Sequence, residues 1–158
     1  MESRNQKFRR LGAGRMTRIF QVMNLIANLS APQYVYTIED ITELFNTYQE
    51  LGKASQKYFQ ETGPTRYNEM PDSFTFTNQS TTNPESRVAH ERFRRLAEKR
   101  MSRVVHTLRL LTNLSDRSNY TYSPEEVTEL FVAFKKKGQA VEALFAPLET
   151  EFTFKNQE

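Results

Sequence analysis

The sequence predicts an all-α fold: two copies of a helical hairpin, related by a pseudo-two-fold axis and forming one four-helix bundle. Three observations lead there. An internal repeat covers most of the chain, apolar residues recur at spacings of three and four in both copies, and helix-starting signals stand at corresponding places. Residues 7–30, KFRRLGAGRMTRIFQVMNLIANLS, recur at an offset of 85 as RFRRLAEKRMSRVVHTLRLLTNLS, residues 92–115. After one inserted residue, YVYTIEDITELFNTYQELGKASQKYF (34–59) aligns with YTYSPEEVTELFVAFKKKGQAVEALF (120–145). The blocks share 21 identities, about four positions in ten, and each copy is followed by Phe-Thr-Phe, at 74–76 and 152–154. Two copies of so long a period do not make a solenoid.

The first helix carries Phe8, Met16, Ile19, Met23 and Ile26 on one face, and ends near Asn28, a residue suited to a left-handed cap. Thr37-Ile38-Glu39-Asp40 starts the second helix, whose apolar face is Ile41, Leu44, Phe45 and Tyr48. Residues 61–86 hold half of the six Pro and no helical period, so they read as the joint between copies, mobile at least over 78–86. The third helix, within 87–115, shows Phe93, Ala97, Met101, Val104, Leu108 and Leu111, with Asn113 at its end. Ser123-Pro124-Glu125-Glu126 is a capping box with Pro in the first turn, and it opens a helix carrying Val127, Leu130, Phe131 and Phe134. The two Phe-Thr-Phe tripeptides alternate like half-buried strands. They are too short to stand alone, and are expected to pair or to lie extended across the bundle. The organisation is therefore repeat one at 1–60, a joint at 61–86 and repeat two at 87–158. Neither hairpin buries enough apolar surface by itself, so the two share one core.

Composition removes several function classes. With no Cys there is no disulfide framework, thiolate metal site or thiol nucleophile, and two His are too few for a His-rich metal site. No apolar run approaches the roughly 20 residues that span a bilayer. The start of the chain lacks the apolar stretch of a secretory signal, so a cytoplasmic location is expected. There is no Walker loop, Rossmann glycine pattern, zinc spacing or nucleophile elbow. No catalytic residue, metal, cofactor or small-molecule substrate is expected, and membrane binding is disfavoured because the core uses the apolar faces.

Charge is the informative feature. Residues 1–30 hold six basic side chains against one acid, and 87–117 hold nine against three, whereas 37–62 and 123–151 are each net acidic. Arg92, Arg95, Lys99 and Arg103 fall on one side of their helix, opposite its apolar face, and Arg10 and Arg18 take equivalent places in copy one. Arginine offers phosphate a bidentate fork. The stripe reads either as a phosphate-binding surface or as a solvated face neutralised by the acidic helices. The net charge of +3 is modest for a nucleic-acid binder. Arg15 with Glu43, and Arg100 with Glu129, read as ion pairs joining the helices of each hairpin. His106 reads as a surface or boundary residue. Tyr34, Tyr36, Tyr120 and Tyr122 read as closing the bundle's ends in preference to stacking on bases.

The stretch RFRRLAEKRMSRVVHTLRLLTNLSDRSNYTYSPEEVTELF resembles a group of small, largely uncharacterised helical proteins of bacteria, phages and plasmids. Their pattern is an Arg-rich helix, NLSxRSNYxY, a Ser/Thr-capped acidic helix and a closing Phe-x-Phe/Leu tail, here spanning most of 92–154. Copy one departs from it, with NLSAPQYVY in place of NLSDRSNYTY. The resemblance implies a mobile-element or phage setting and no catalytic assignment. Two functions follow as expectations: a non-catalytic nucleic-acid-binding accessory protein, DNA or RNA, or a protein-interaction module such as an element-encoded inhibitor or adaptor.

Overall fold

Three of the four helices start where a hydroxyl side chain accepts a hydrogen bond from the backbone N–H three residues on, and that residue's side chain reaches back to the cap. Ser3 with Gln6, Thr37 with Asp40 and Ser123 with Glu126 form these capping boxes. In a computed structural model describing residues 1–61, 63, 66–147 and 151–155, the helices are α1 (Arg4–Ala27), α2 (Ile38–Gln60), α3 (Arg87–Thr112) and α4 (Pro124–Glu142). No strand occurs among the described residues, and the chain is an all-α four-helix bundle. Asn28 and Asn113 keep right-handed backbone, with φ near −60°, and each leads into one turn of 3-10 helix, Asn28–Ser30 and Asn113–Ser115. The left-handed caps expected there do not form.

The helices pair across copies. α1 packs on α3 and α4, and α2 packs on α3 and α4, so the two helices of one copy stand at diagonal corners. The hydrogen bonds fix the directions. Arg15 Nη1 donates to the Leu110 carbonyl and Arg100 Nη1 to the Leu25 carbonyl, each at 2.7 Å, which sets α1 antiparallel to α3. Arg94 meets Asp40, and Thr112 meets Ser55, so α2 and α3 run parallel. Parallel neighbours need a crossover the length of the helix. Within that crossover, residues 68–80 run back along the groove between α2 and α3.

This arrangement overturns the expected Arg–Glu pairs. Arg15 and Glu43 lie on diagonal helices, as do Arg100 and Glu129, and the two arginines instead bond the last-turn carbonyls of α3 and α1, where cations are favoured by the helix dipole. Glu43 accepts from the backbone N–H groups and side chains of Thr77 and Asn78. Burial would raise its carboxyl, but these bonds outweigh burial and hold it at about 2. Asn78 and Ser80 are tied further to Arg94 and Asp40, so this stretch of the joint is anchored, contrary to the mobility expected of it.

The core repeats itself about the pseudo-axis. At one end Phe8, Phe59, Tyr122 and Phe131 cluster. At the other their counterparts Phe93, Phe145, Tyr36 and Phe45 do the same, the Phe59–Phe131 and Phe45–Phe145 centroids each being 5.6 Å apart. Each quartet takes two rings from each copy. On the axis, Tyr48 and Phe134 are counterparts stacked at 4.0 Å and 3°. Gly138 lies against Tyr48 and Gly52 against Phe134, and only glycine lets α2 and α4 approach that closely. The Tyr48 hydroxyl donates to the Phe134 carbonyl at 2.6 Å. The first Phe-Thr-Phe lies along the groove beside α3, with Phe74 and Phe76 buried. The second does not pair with it: Phe152 and Phe154 are 77% and 74% exposed.

Candidate nucleic-acid interface

Because α1 and α3 are neighbours, and α2 and α4 are neighbours, charge separates by layer. α1 carries six basic side chains and no acid, and α3 eight against two. α2 carries four acids against two bases and α4 four against three. The formal charge of the helices is thus +12 on one layer and −3 on the other. The acidic helix of each copy sits diagonally from its basic helix, on the far side of the core. It does not cover the arginine face.

Arg92, Arg95, Lys99 and Arg103 are exposed on α3, and Arg18 is exposed on α1; among the described residues none of the five makes a side-chain hydrogen bond or ion pair. Arg10 is also exposed but is held by Glu2, with Nε to Oε2 at 2.8 Å and Nη2 to Oε1 at 3.1 Å. Its charge is partly committed. Arg18 and Arg103 are counterparts in the repeat, on antiparallel neighbouring helices. Between α1 and α3 runs a shallow trough lined by Gly14, Arg15, Arg18, Gln21, His106 and Leu110. Lys7, the counterpart of Arg92, extends the α1 side and lies 5.7 Å from the Tyr120 ring. The offset of 85 is the signal in the sequence that marks it. Gly14 stands where copy two has Lys99, so the α1 half is the weaker one.

The remaining titratable clusters are structural clamps. Asp40 is fully buried and accepts from His90 Nε2 at 2.6 Å and Arg94 Nη1 at 2.5 Å. Burial pushes its carboxyl up, but the His90 and Thr37 bonds and the Arg94 charge hold it below the usual range. The counterpart is Glu126, which accepts from Asn5 and Arg9 and is held at about 2, those bonds overcoming the effect of burial. Neither cluster was legible beforehand. The signal was the pairing of positions across copies: Asp40 with Glu126, His90 with Asn5, Arg94 with Arg9. The Ser80 hydroxyl contacts the Asp40 carboxylate, which the His90 ring also holds, so the group lacks the hydroxyl–imidazole contact of a nucleophile relay.

His106 is exposed, with Nδ1 2.6 Å from Asp72; that bond holds the Asp72 carboxyl below its usual range and places one acid at the trough's rim. The four tyrosines pack partly buried on the core. Tyr122 also donates to the Ser115 carbonyl, and Tyr122 and Tyr36 each join one of the two aromatic quartets. Among the described residues no group of three His, Cys, Asp or Glu could hold a metal ion, and no helix is long and apolar enough to cross a membrane.

No family model, curated protein or solved structure matches this chain. The chain's own geometry carries the functional reading.

Proposed function

We propose that the chain is a nucleic-acid-binding accessory protein that lays the α1/α3 layer along a phosphate backbone. The observation that carries this is the separation of charge by layer, with five cationic side chains of the stripe left without protein partners on one side of the bundle. Unpaired cationic side chains on an exposed helix face suit phosphate, because their donors are not committed to protein partners. Arg92, Arg95, Lys99, Arg103 and Arg18 supply the contacts, and Arg10 joins by exchanging Glu2 for phosphate. Contacts to phosphate carry no sequence information, so the affinity is expected to be broad in sequence. The resemblance of residues 92–154 to small helical proteins of phages and plasmids suggests a mobile-element setting.

The test is Arg95→Glu combined with Arg103→Glu, two exposed positions where substitution shifts stability within about 0.5 kcal/mol. The reversed protein, melting as the parent does, is expected to lose duplex DNA and RNA binding at low salt. Equal binding by parent and variant, or none by the parent, would leave the stripe a solvated face and favour a protein-interaction module instead.

A further inference from the structure

The bundle has two grooves between parallel helices, α2/α3 and α1/α4, and the internal repeat makes them counterparts. The first is filled by the joint. Ser102 Oγ bonds both the N–H and the carbonyl of Phe74, Glu98 accepts from the Phe76 N–H, and the Arg94 guanidinium lies 4.6 Å from the centre of the Phe76 ring. Phe93 lies beside Phe76, and Glu43 accepts from residues 77 and 78. Shifted by the repeat offsets, Ser102, Glu98, Arg94, Phe93 and Glu43 become Thr17, Ala13, Arg9, Phe8 and Glu129. All five line an open, largely apolar groove of about 380 Å³ between α1 and α4. The tripeptide that fills the first groove recurs just beyond α4, with both its rings in solvent.

We propose that the α1/α4 groove is the seat of the chain's own Phe152-Thr153-Phe154, docked in cis as Phe74-Thr75-Phe76 is docked between α2 and α3. In this state the Thr17 hydroxyl takes the role of Ser102 at Phe152, Arg9 covers the Phe154 ring, and Glu129 receives the N–H of Lys155 and faces its ammonium group. Ala13 replaces Glu98, so one backbone bond is lost and the second site is the weaker of the two.

Chain length permits it. The Asp40–Arg94 and Ser55–Thr112 bonds put Ser102 level with about Thr47, whose counterpart is Ala133. Ala133 lies twelve residues before Phe145, about 18 Å along the helix. The seven-residue step from Phe145 to Phe152 spans up to about 23 Å when extended. A tether this short gives an effective concentration of about millimolar, so at micromolar protein the tail reaches its own groove ahead of a second copy's. Two phenylalanines also leave solvent, the largest apolar gain open to the tail.

The chain has no Trp, so Phe154→Trp provides a single fluorescent reporter. Its emission is expected to be blue-shifted and severalfold less quenched by acrylamide than in a peptide of residues 146–158 carrying the same substitution. Protection should not change with protein concentration, in a protein of monomer mass. Ala13→Arg and Ala133→Arg, each added separately at the groove wall and checked by circular dichroism, should restore the peptide's exposure. A reporter as exposed in the protein as in the peptide would overturn the proposal. So would protection that survives both wall substitutions. Protection that rises with concentration alongside a dimer mass would assign the groove to a second copy and overturn docking in cis.

Discussion

Gly138→Ala should destabilise the protein although it exchanges a poor helix former for the best one. In an open helix site the change stabilises by about 1 kcal/mol. Here the new Cβ would stand 2.6 Å from both Tyr48 Cδ1 and Gln49 Nε2, well inside van der Waals contact. The Tyr48 ring cannot step aside freely. It is 1% exposed, stacked on Phe134 and bonded to the Phe134 carbonyl. Retreat gives up the stack, about 0.5–1.5 kcal/mol, and a hydrogen bond of about 0.5–1.5 kcal/mol, on top of overpacking strain of about 1–3 kcal/mol. After the propensity gain the net loss is about 3 kcal/mol, or about 6–12 °C in a domain of this size. Gly14→Ala is the internal control, because nothing lies within 4 Å of its Cβ and only the propensity gain remains. Thermal melts by circular dichroism should therefore move in opposite directions for the two variants. Tyr48→Leu should recover part of the Gly138→Ala loss in a double-mutant cycle. A Gly138→Ala protein as stable as Gly14→Ala would refute the close approach of α2 and α4.

Other outcomes follow from the same contacts. Residues 87–158 alone should not fold as a stable monomer, because each aromatic quartet needs two rings from the other copy; analytical ultracentrifugation and a melt showing a monomer as stable as the full chain would contradict the shared core. Asp40→Ala should cost about 3–5 kcal/mol by chemical denaturation, since it leaves His90 and Arg94 without the buried carboxylate between them. Glu43 and Glu126 fall from an ordinary 4.5 to about 2 on folding, so their contribution is complete above about pH 5 and fades as pH drops toward about 2. Melting temperature should decline across that window, and Glu43→Gln should reduce the slope; an unchanged slope would refute the role of the Thr77 and Asn78 bonds.

Period and caps made the helices legible. The apolar positions Phe93, Met101, Val104 and Leu108 are core residues, and the capping boxes at Thr37 and Ser123 form as their sequences indicate. What a helix's sequence reports is which face is apolar, not which neighbour covers it. The diagonal placement of α1 and α2 is therefore not visible in it, and repetition of Arg15/Arg100 and Glu43/Glu129 suggests pairs within a copy where the partners are carbonyls on the other copy. The buried Asp40–His90–Arg94 clamp escaped for a related reason: its members lie 50 and 54 residues apart, and no local spacing marks them. Exposure of the stripe followed from periodicity alone. That the two stripes share one layer depends on α1 packing against α3, which no local spacing marks.

The most direct test of phosphate-backbone binding is the affinity of the parent protein for duplex DNA as a function of salt. Each neutralised phosphate contributes about −0.9 to the slope of log K against log salt, so contacts from Arg18, Arg92, Arg95, Lys99 and Arg103 give roughly −4.5, and Arg10, once released from Glu2, brings it to roughly −5.4. The account predicts a linear plot near that slope, reduced by about 0.9 for each of these residues replaced by Ala. A flat plot, or a slope unchanged when Arg95 and Arg103 are both removed, would contradict it.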